Sequence, residues 1–212
     1  MNWTFGVPTD GNQNSEYIDR LINSIKSQFK DNYEIIFCTE NEAFNTENDN
    51  IRTIYIGRDR PGWITKKKNE IAKIAKYENI CFLHDYFFLE DNWATSFDDF
   101  KEDWNVCTTK ILDPSDIRLM DWASLDGRYG HACIPYDVQD VKENMYVPGN
   151  VFCVKKDFML ANPLDENLGH WGGEDLEWSR RIRGFYKFFI NTGAVTRSQK
   201  DKPDFRVYSR GL

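Results

Sequence analysis

The segment Ile80-Cys81-Phe82-Leu83-His84-Asp85-Tyr86 puts a short apolar run directly before a charged residue. Such a run suits a strand buried on both faces. An acid at its end needs a partner, because burying an unpaired carboxylate is costly. A hard cation such as Mg²⁺ or Mn²⁺ suits carboxylate oxygens. The other reading of Asp85 is an aspartate that starts a turn or caps a helix.

Upstream of this segment the chain alternates. A strand is predicted over 3–7, ended by Pro8 and followed by the turn Thr9-Asp10-Gly11-Asn12. Tyr17, Ile18, Leu21, Ile22, Ile25 and Phe29 fall at helical spacing, which predicts a helix over 15–30. Strands follow over 33–38 and 51–56, and Ile71, Ala72, Ile74 and Ala75 mark a helix over 64–77. This alternation predicts an α/β fold, a mostly parallel central sheet with helices on both faces. Ligands of such sheets sit at the carboxyl edge of the strands, so the residues just after each strand are the candidates.

Downstream the pattern is less regular. Strands are predicted over 105–111, 151–154 and 185–190, a short helix over 115–125 and a polar helix over 174–183 stopped by Gly184. Residues 128–145 carry mixed turn chemistry and read as a long functional loop. No repeat, low-complexity stretch or linker stands out, so the chain is expected to be one domain in two lobes.

The chain has 212 residues, 27 Lys plus Arg against 34 Asp plus Glu, and a formal charge of −7. With 41% apolar and 29% charged residues, the balance is that of an ordinary globular protein and not of a disordered chain. The acidic excess argues against a general nucleic-acid binder, though not against a small anion held by a local basic cluster. No apolar run approaches the ~20 residues that cross a bilayer. Met1-Asn2-Trp3-Thr4 lacks the basic and apolar regions of a secretory signal. The five cysteines form no CxxC pair and four lie in apolar strand-like runs, which suits reduced thiols in a cytoplasmic compartment. Aromatics, 15% of the chain, thicken from Phe82 to Trp104 and from Trp171 to Phe189, as a core or as a surface that stacks on bases and sugar rings.

Three further constellations bear on chemistry. Lys66-Lys67-Lys68-Asn69 opens a helix behind Arg58, Arg60 and Gly62, and reads either as a phosphate site or as a solvated face. In Gly169-His170-Trp171-Gly172-Gly173-Glu174-Asp175 the glycines allow close backbone approach, Trp171 offers a flat apolar face, and the paired acids suit base chemistry or sugar hydroxyls. The same acids also complement a helix dipole. Met145-Tyr146-Val147-Pro148-Gly149-Asn150 marks a tight approach before a strand.

Taken in order, these pieces resemble the GT-A glycosyltransferases, specifically the family-2-like group, over roughly residues 3 to 190. The matching parts are Pro8-Thr9-Asp10, Thr39-Glu40, Gly62 with Lys68-Asn69, His84-Asp85-Tyr86 at the Asp-x-Asp position, Gly149-Asn150, Asp165-Glu166, and Gly172-Gly173-Glu174-Asp175 leading to Arg180 and Arg181. The chain is similar also to chlorovirus-encoded glycosyltransferase domains.

The resemblance implies a Rossmann-like nucleotide-binding half over 1–85 and a smaller mixed acceptor-side lobe over 86–212. It implies that Pro8, Thr9, Asp10 and Glu40 line the base and ribose, with Lys68 near the diphosphate. Asp85 would bind Mn²⁺ or Mg²⁺, with His84 as a second ligand or a ribose contact, since only one acid stands where the family carries two. Gly149, Asn150, Trp171, Gly172 and Gly173 would line the acceptor, and Asp175 or Glu174 would be the catalytic base. The implied donor is a UDP-sugar and the implied acceptor a glycan or glycoprotein. The expected location is the cytoplasm (the host's, for a viral protein), and because the chain ends at Ser209-Arg210-Gly211-Leu212 without a clear terminating element, a longer protein with further domains is expected. Two other readings are an inactive sugar-binding module, kept open by the single acid, and a nucleotidyltransferase, disfavoured because 10–14 has one glycine and no cation.

Overall fold

The computed structural model describes residues 1–46, 48–60, 62–126, 130–138, 145–168 and 172–202. Its first half alternates as expected: β1 (Trp3–Pro8), α1 (Ser15–Phe29), β2 (Tyr33–Thr39), β3 (Ile51–Tyr55), α2 (Ile64–Ile74) and β4 (Asn79–Leu83). α1 forms because Asn14 caps it, accepting from the Glu16 N–H at 2.9 Å, while Ile18, Leu21, Ile22, Ile25 and Phe29 make one buried stripe.

The second half runs β5 (Phe87–Leu89), α3 (Trp93–Asp99), β6 (Val106–Leu112), β7 (Ala123–Asp126), β8 (Gly130–Cys133), β9 (Met145–Tyr146), β10 (Val151–Lys155), α4 (Lys156–Ala161), α5 (Glu174–Ile182) and β11 (Phe189–Ser198). Eight strands form one sheet in the order β3-β2-β1-β4-β10-β6-β11-β5. β7, β8 and β9 form a small antiparallel sheet beside it.

The large sheet is mixed, so the expectation of a mostly parallel one holds only in part; β6 and β11 also pair in parallel. β3, β2, β1 and β4 are parallel, but β10 runs antiparallel to both β4 and β6, and β5 antiparallel to β11. The alternating pattern of the first half carries no information about β10, whose place is decided by a chain that first travels through β5–β9. Helices cover both faces. α1 and α3 pack with Trp3, Phe5 and Trp104 on one side; α2, α4 and α5 pack with Phe82, Phe152 and Trp178 on the other.

Further differences have local causes. The expected helix over 115–125 is a turn followed by β7, because the Asp113 carboxylate captures the N–H groups of Ser115 and Ile117 at 2.8 and 2.9 Å. The expected loop over 128–145 contributes β8 and the start of β9 within its described part. The last strand begins at Phe189 rather than 185, and Phe185 is 78% exposed. The dense aromatics from Phe82 to Trp104 are core: Trp93 and Phe97 meet Trp3 edge-on with centroids at 4.9 and 4.8 Å. Among the described residues all five cysteines are free, and no helix is long and apolar enough to cross a membrane.

Candidate functional site

Three strand ends meet at one edge of the large sheet. β1 and β4 are parallel neighbours, so Thr9 and His84-Asp85 leave the sheet side by side. β10 runs against β4 with Val151 opposite Leu83, so the Gly149-Asn150 lead-in reaches the same edge. There the His84 N–H donates to the Asn150 carbonyl at 3.2 Å.

Asp85 is 7% exposed, and among the described residues its carboxylate accepts from two donors. The Thr9 hydroxyl donates to Oδ2 at 2.5 Å, and Gln13 Nε2 donates to Oδ1 at 2.9 Å. Each carboxylate oxygen has two lone pairs, so both retain capacity for a further partner. His84 Nδ1 lies 3.2 Å from the Tyr86 hydroxyl, whose pKa is pushed up by burial and then by the neighbouring Asp85 charge.

Beside Asp85, Lys67 ties two strand ends together. Its ammonium donates to the Thr9 carbonyl at 2.7 Å and forms an ion pair with Glu40, just after β2. Glu40 also accepts from the Gly62 N–H at 3.0 Å. Burial alone would raise the Glu40 carboxyl, but the bonds from Lys67 and Gly62 bring it below its ordinary value.

One residue further along α2, Lys68 faces the other way. It is 1% exposed, its Nζ donates to the Gly149 carbonyl at 2.6 Å, and it lies 3.8 Å from Glu174 Oε1. The Gly149 N–H donates to Asp175 Oδ2 at 3.0 Å, and Asp175 Oδ1 accepts from the Leu176 N–H at 2.8 Å. A Cβ on Gly149 would come within 2.8 Å of Glu174 Oε1 and 3.3 Å of Asp175 Cβ, so the loop lies close against α5. Burial, then the Glu174 charge, raises the Asp175 carboxyl above its ordinary value, against the pull of the Gly149 N–H and Lys68. Burial also lowers the Lys68 ammonium, opposed by Glu174 and Asp175.

The sequence-predicted residues thus fall into two neighbouring groups. Thr9, Glu40 and Asp85 converge around Lys67; Gly149, Glu174 and Asp175 converge around Lys68. Pro8 is buried at the end of β1, whereas Asp10 is exposed and accepts from the Asn12 N–H at 2.9 Å. Asn150 accepts from the Val151 N–H at 2.9 Å. Gly173 takes φ 68° as the N-cap of α5, and Gly172 precedes it, exposed. Trp171 and His170 lie outside the described residues.

The basic run is neither a solvated face nor a free phosphate cluster. Lys67, Lys68 and Asn69 are buried because α2 is wedged between the sheet edge and residues 164–168. Arg60 donates to the carbonyls of Glu166 and Asn167, Trp63 Nε1 to that of Glu166, and Asn69 to that of Leu164. Sequence reasoning assigns no role of their own to Gln13 and Lys67. Gln13 sits in a polar turn with no distinguishing neighbour, and nothing in a run of three lysines says which will be buried.

Among the described residues, no group of three or more His, Cys, Asp or Glu side chains is placed to hold a metal. A single carboxylate joined by a ligand's phosphate oxygens is nevertheless a donor set that Mg²⁺ accepts. The residues therefore fit a divalent cation that arrives with a phosphate ligand rather than one held by side chains alone.

No protein-family model matches the chain, and no curated protein does. Solved structures do. The crystal structure of GalNAc-T7 with UDP, GalNAc and Mn²⁺ matches at TM-score 0.72 and 13% identity, over 97% of this chain and 45% of that one. S. aureus TarS 1–349 matches at TM-score 0.55 and 14% identity, over 95% of this chain and 59% of that one. TarS 1–349 in complex with UDP matches at TM-score 0.54 with the same identity and coverage. The chain spans about half the length of these proteins, 45% and 59%. The likeness establishes the GT-A fold of the glycosyltransferases.

Proposed function

We propose that the chain transfers a sugar from a nucleoside diphosphate, with UDP as the nucleotide, to a hydroxyl of a glycan acceptor. The observation that carries this reading is the buried Asp85 carboxylate, bonded to Thr9 at the carboxyl edge of β4 and β1. That is the edge where ligands of α/β sheets bind, on a fold shared with proteins crystallised with UDP. The same reading places the nucleotide half over 1–85 and the acceptor half over 86–212, and puts the chain in the family-2-like group.

On this reading Pro8, Thr9, Asp10 and Glu40 line the base and ribose, and Lys67 holds Thr9 and Glu40 at the spacing the ligand needs. Asp85, with His84 beside it, would hold a divalent cation together with the diphosphate. That cation would offset the charge that develops on the departing diphosphate. Gly149, Asn150, Gly172, Gly173 and Trp171 line the acceptor. In transfer with inversion, Asp175 takes the proton of the acceptor hydroxyl as its oxygen bonds to the sugar and the sugar–phosphate bond breaks. Burial and the Glu174 charge suit Asp175 to that task, because a carboxylate held above its ordinary range is a stronger base.

Thermal unfolding with UDP, with and without Mn²⁺, and with GDP as control, tests the donor site. Ligand at one hundred times its dissociation constant stabilises by about 2.7 kcal/mol, roughly 5–11 °C for a chain of this size. A rise with UDP that grows with Mn²⁺ is expected, followed by turnover in a UDP-sugar screen. No rise with any nucleotide would remove the donor site from this reading.

A further inference from the structure

Two adjacent lysines on α2 bind different partners, Lys67 the Thr9 carbonyl and Glu40, Lys68 the Gly149 carbonyl beside Glu174. Lys68 aligns with a cation expected near the diphosphate, yet its side chain is buried. Its Nζ is bonded to the Gly149 carbonyl at 2.6 Å, lies 3.8 Å from Glu174 Oε1, and stands 5.3 Å from the Phe152 ring centroid. Gly149 is in turn bonded through its N–H to Asp175 at 3.0 Å. Both backbone polar groups of one glycine thus connect the lysine to the acid at the start of α5.

We infer that Lys68 is a positioning residue of the acceptor side rather than a diphosphate ligand: it clamps the Gly149 loop onto α5, and its charge offsets the Glu174–Asp175 pair so that Asp175 is held ionised and aimed. The reason is electrostatic. Two adjacent half-buried carboxylates repel, and without the cation the protonated form of Asp175 is favoured. Among the described residues, Glu174 on α5, Lys68 on α2 and Tyr146 on β9 are the titratable groups that face Asp175. Glu174 and Asp175 are those that face Lys68. Lys68 is the cation among them. The close contact at Gly149 sharpens the clamp, since a Cβ there would also lie 3.4 Å from Lys68 Nζ.

The inference rests on the transferase reading only for Asp175 as the base; the clamp itself is a property of the ligand-free chain. The test is therefore a carboxyl ¹³C NMR titration of the ligand-free protein, read for Lys68→Met and Lys68→Arg beside the parent, with Asp175→Asn and Glu174→Gln to assign signals. Losing an opposite charge moves a carboxylate by about one to three pH units. Lys68→Met should raise the Asp175 titration by that amount, Lys68→Arg should restore it, and UDP affinity should stay within about twofold in both. In turnover, the acidic limb of kcat should move up by the same amount in Lys68→Met. If Lys68→Met does not fold, Glu174→Gln carries the test, because removing the like charge should lower the Asp175 titration.

An Asp175 that titrates unchanged in folded Lys68→Met, or unchanged in Glu174→Gln, overturns the inference. A tenfold loss of UDP affinity in Lys68→Met also overturns it and returns Lys68 to the diphosphate. Failure of the parent to bind UDP at all defeats the transferase reading and leaves the titration result standing.

Discussion

The Thr9 hydroxyl donates to the Asp85 carboxylate at 2.5 Å although the two residues stand 76 positions apart in the chain. The bond exists because β1 and β4 are parallel neighbours whose carboxyl ends emerge together. It gives a buried acid a partner and leaves lone pairs facing the sheet edge. Thr9→Val removes one of the two donors to Asp85 and should cost about 1–3 kcal/mol by denaturant unfolding. Asp85→Asn should retain the fold and abolish the UDP-dependent rise in Tm. A UDP-dependent rise as large as the parent's in Asp85→Asn would move the nucleotide away from this edge.

Lys67 and Glu40 form a partly buried pair, with side chains 4% and 17% exposed. Lys67→Met leaves Glu40 without its cation and Thr9 without a donor, so stability should fall by roughly 2–4 kcal/mol. The Glu40 carboxyl is held below its ordinary value. Its contribution is therefore present above the ordinary carboxylate range and is lost as pH falls through the folded-state value. The stability gap between parent and Lys67→Met should narrow on acidification, and Glu40→Gln in the Lys67→Met background should recover part of the loss. A gap independent of pH would contradict the pairing.

Gly149→Ala places a methyl group 2.8 Å from Glu174 Oε1. That atom is the far end of a flexible side chain and can swing away, so the stability cost should be modest, about 1 kcal/mol. The displaced carboxylate leaves Lys68, however, and the turnover rate should drop much more than stability does. Parallel measurement of chemical unfolding and kcat checks this; equal small effects on both would show that the close approach has no part in catalysis.

Asp175 is held above its ordinary value by burial and by Glu174. On the proposed transferase reading its ionised form is the base, so the rate should fall on acidification at a pH above that at which a free aspartate titrates. Asp175→Asn should lower kcat by roughly 10²–10⁴-fold, the usual contribution of general base catalysis, with the UDP-dependent rise in Tm unchanged. Comparable loss in Glu174→Gln with little loss in Asp175→Asn would exchange their roles.

Much of the first half is legible in the amino-acid sequence. Ile18, Leu21, Ile22, Ile25 and Phe29 spell out α1, and the apolar runs of β1, β2 and β4 can be read one by one, because both signals are periodic and local. Asp85 stands out for the same reason, as a charge at the end of an apolar run. The turn at 115–117 is not legible, because a single side chain, Asp113, diverts the backbone from a helix that the composition allows. β10 is recognisable as a strand, but its antiparallel direction is not visible in its own residues.

The sequence by itself determined the α/β class, the amphipathic helices and the residue types available at the ends of the strands, since these depend on spacing within a few turns of chain. Which lysine serves which carboxylate is set instead by packing between distant segments. Lys67 and Lys68 are adjacent and chemically identical. On a helix, consecutive residues point about 100° apart, so one turns to Thr9 and Glu40 and the other to Gly149 and Glu174. That choice depends on how α2 is rotated against the sheet, which is set by packing between segments far apart in the chain.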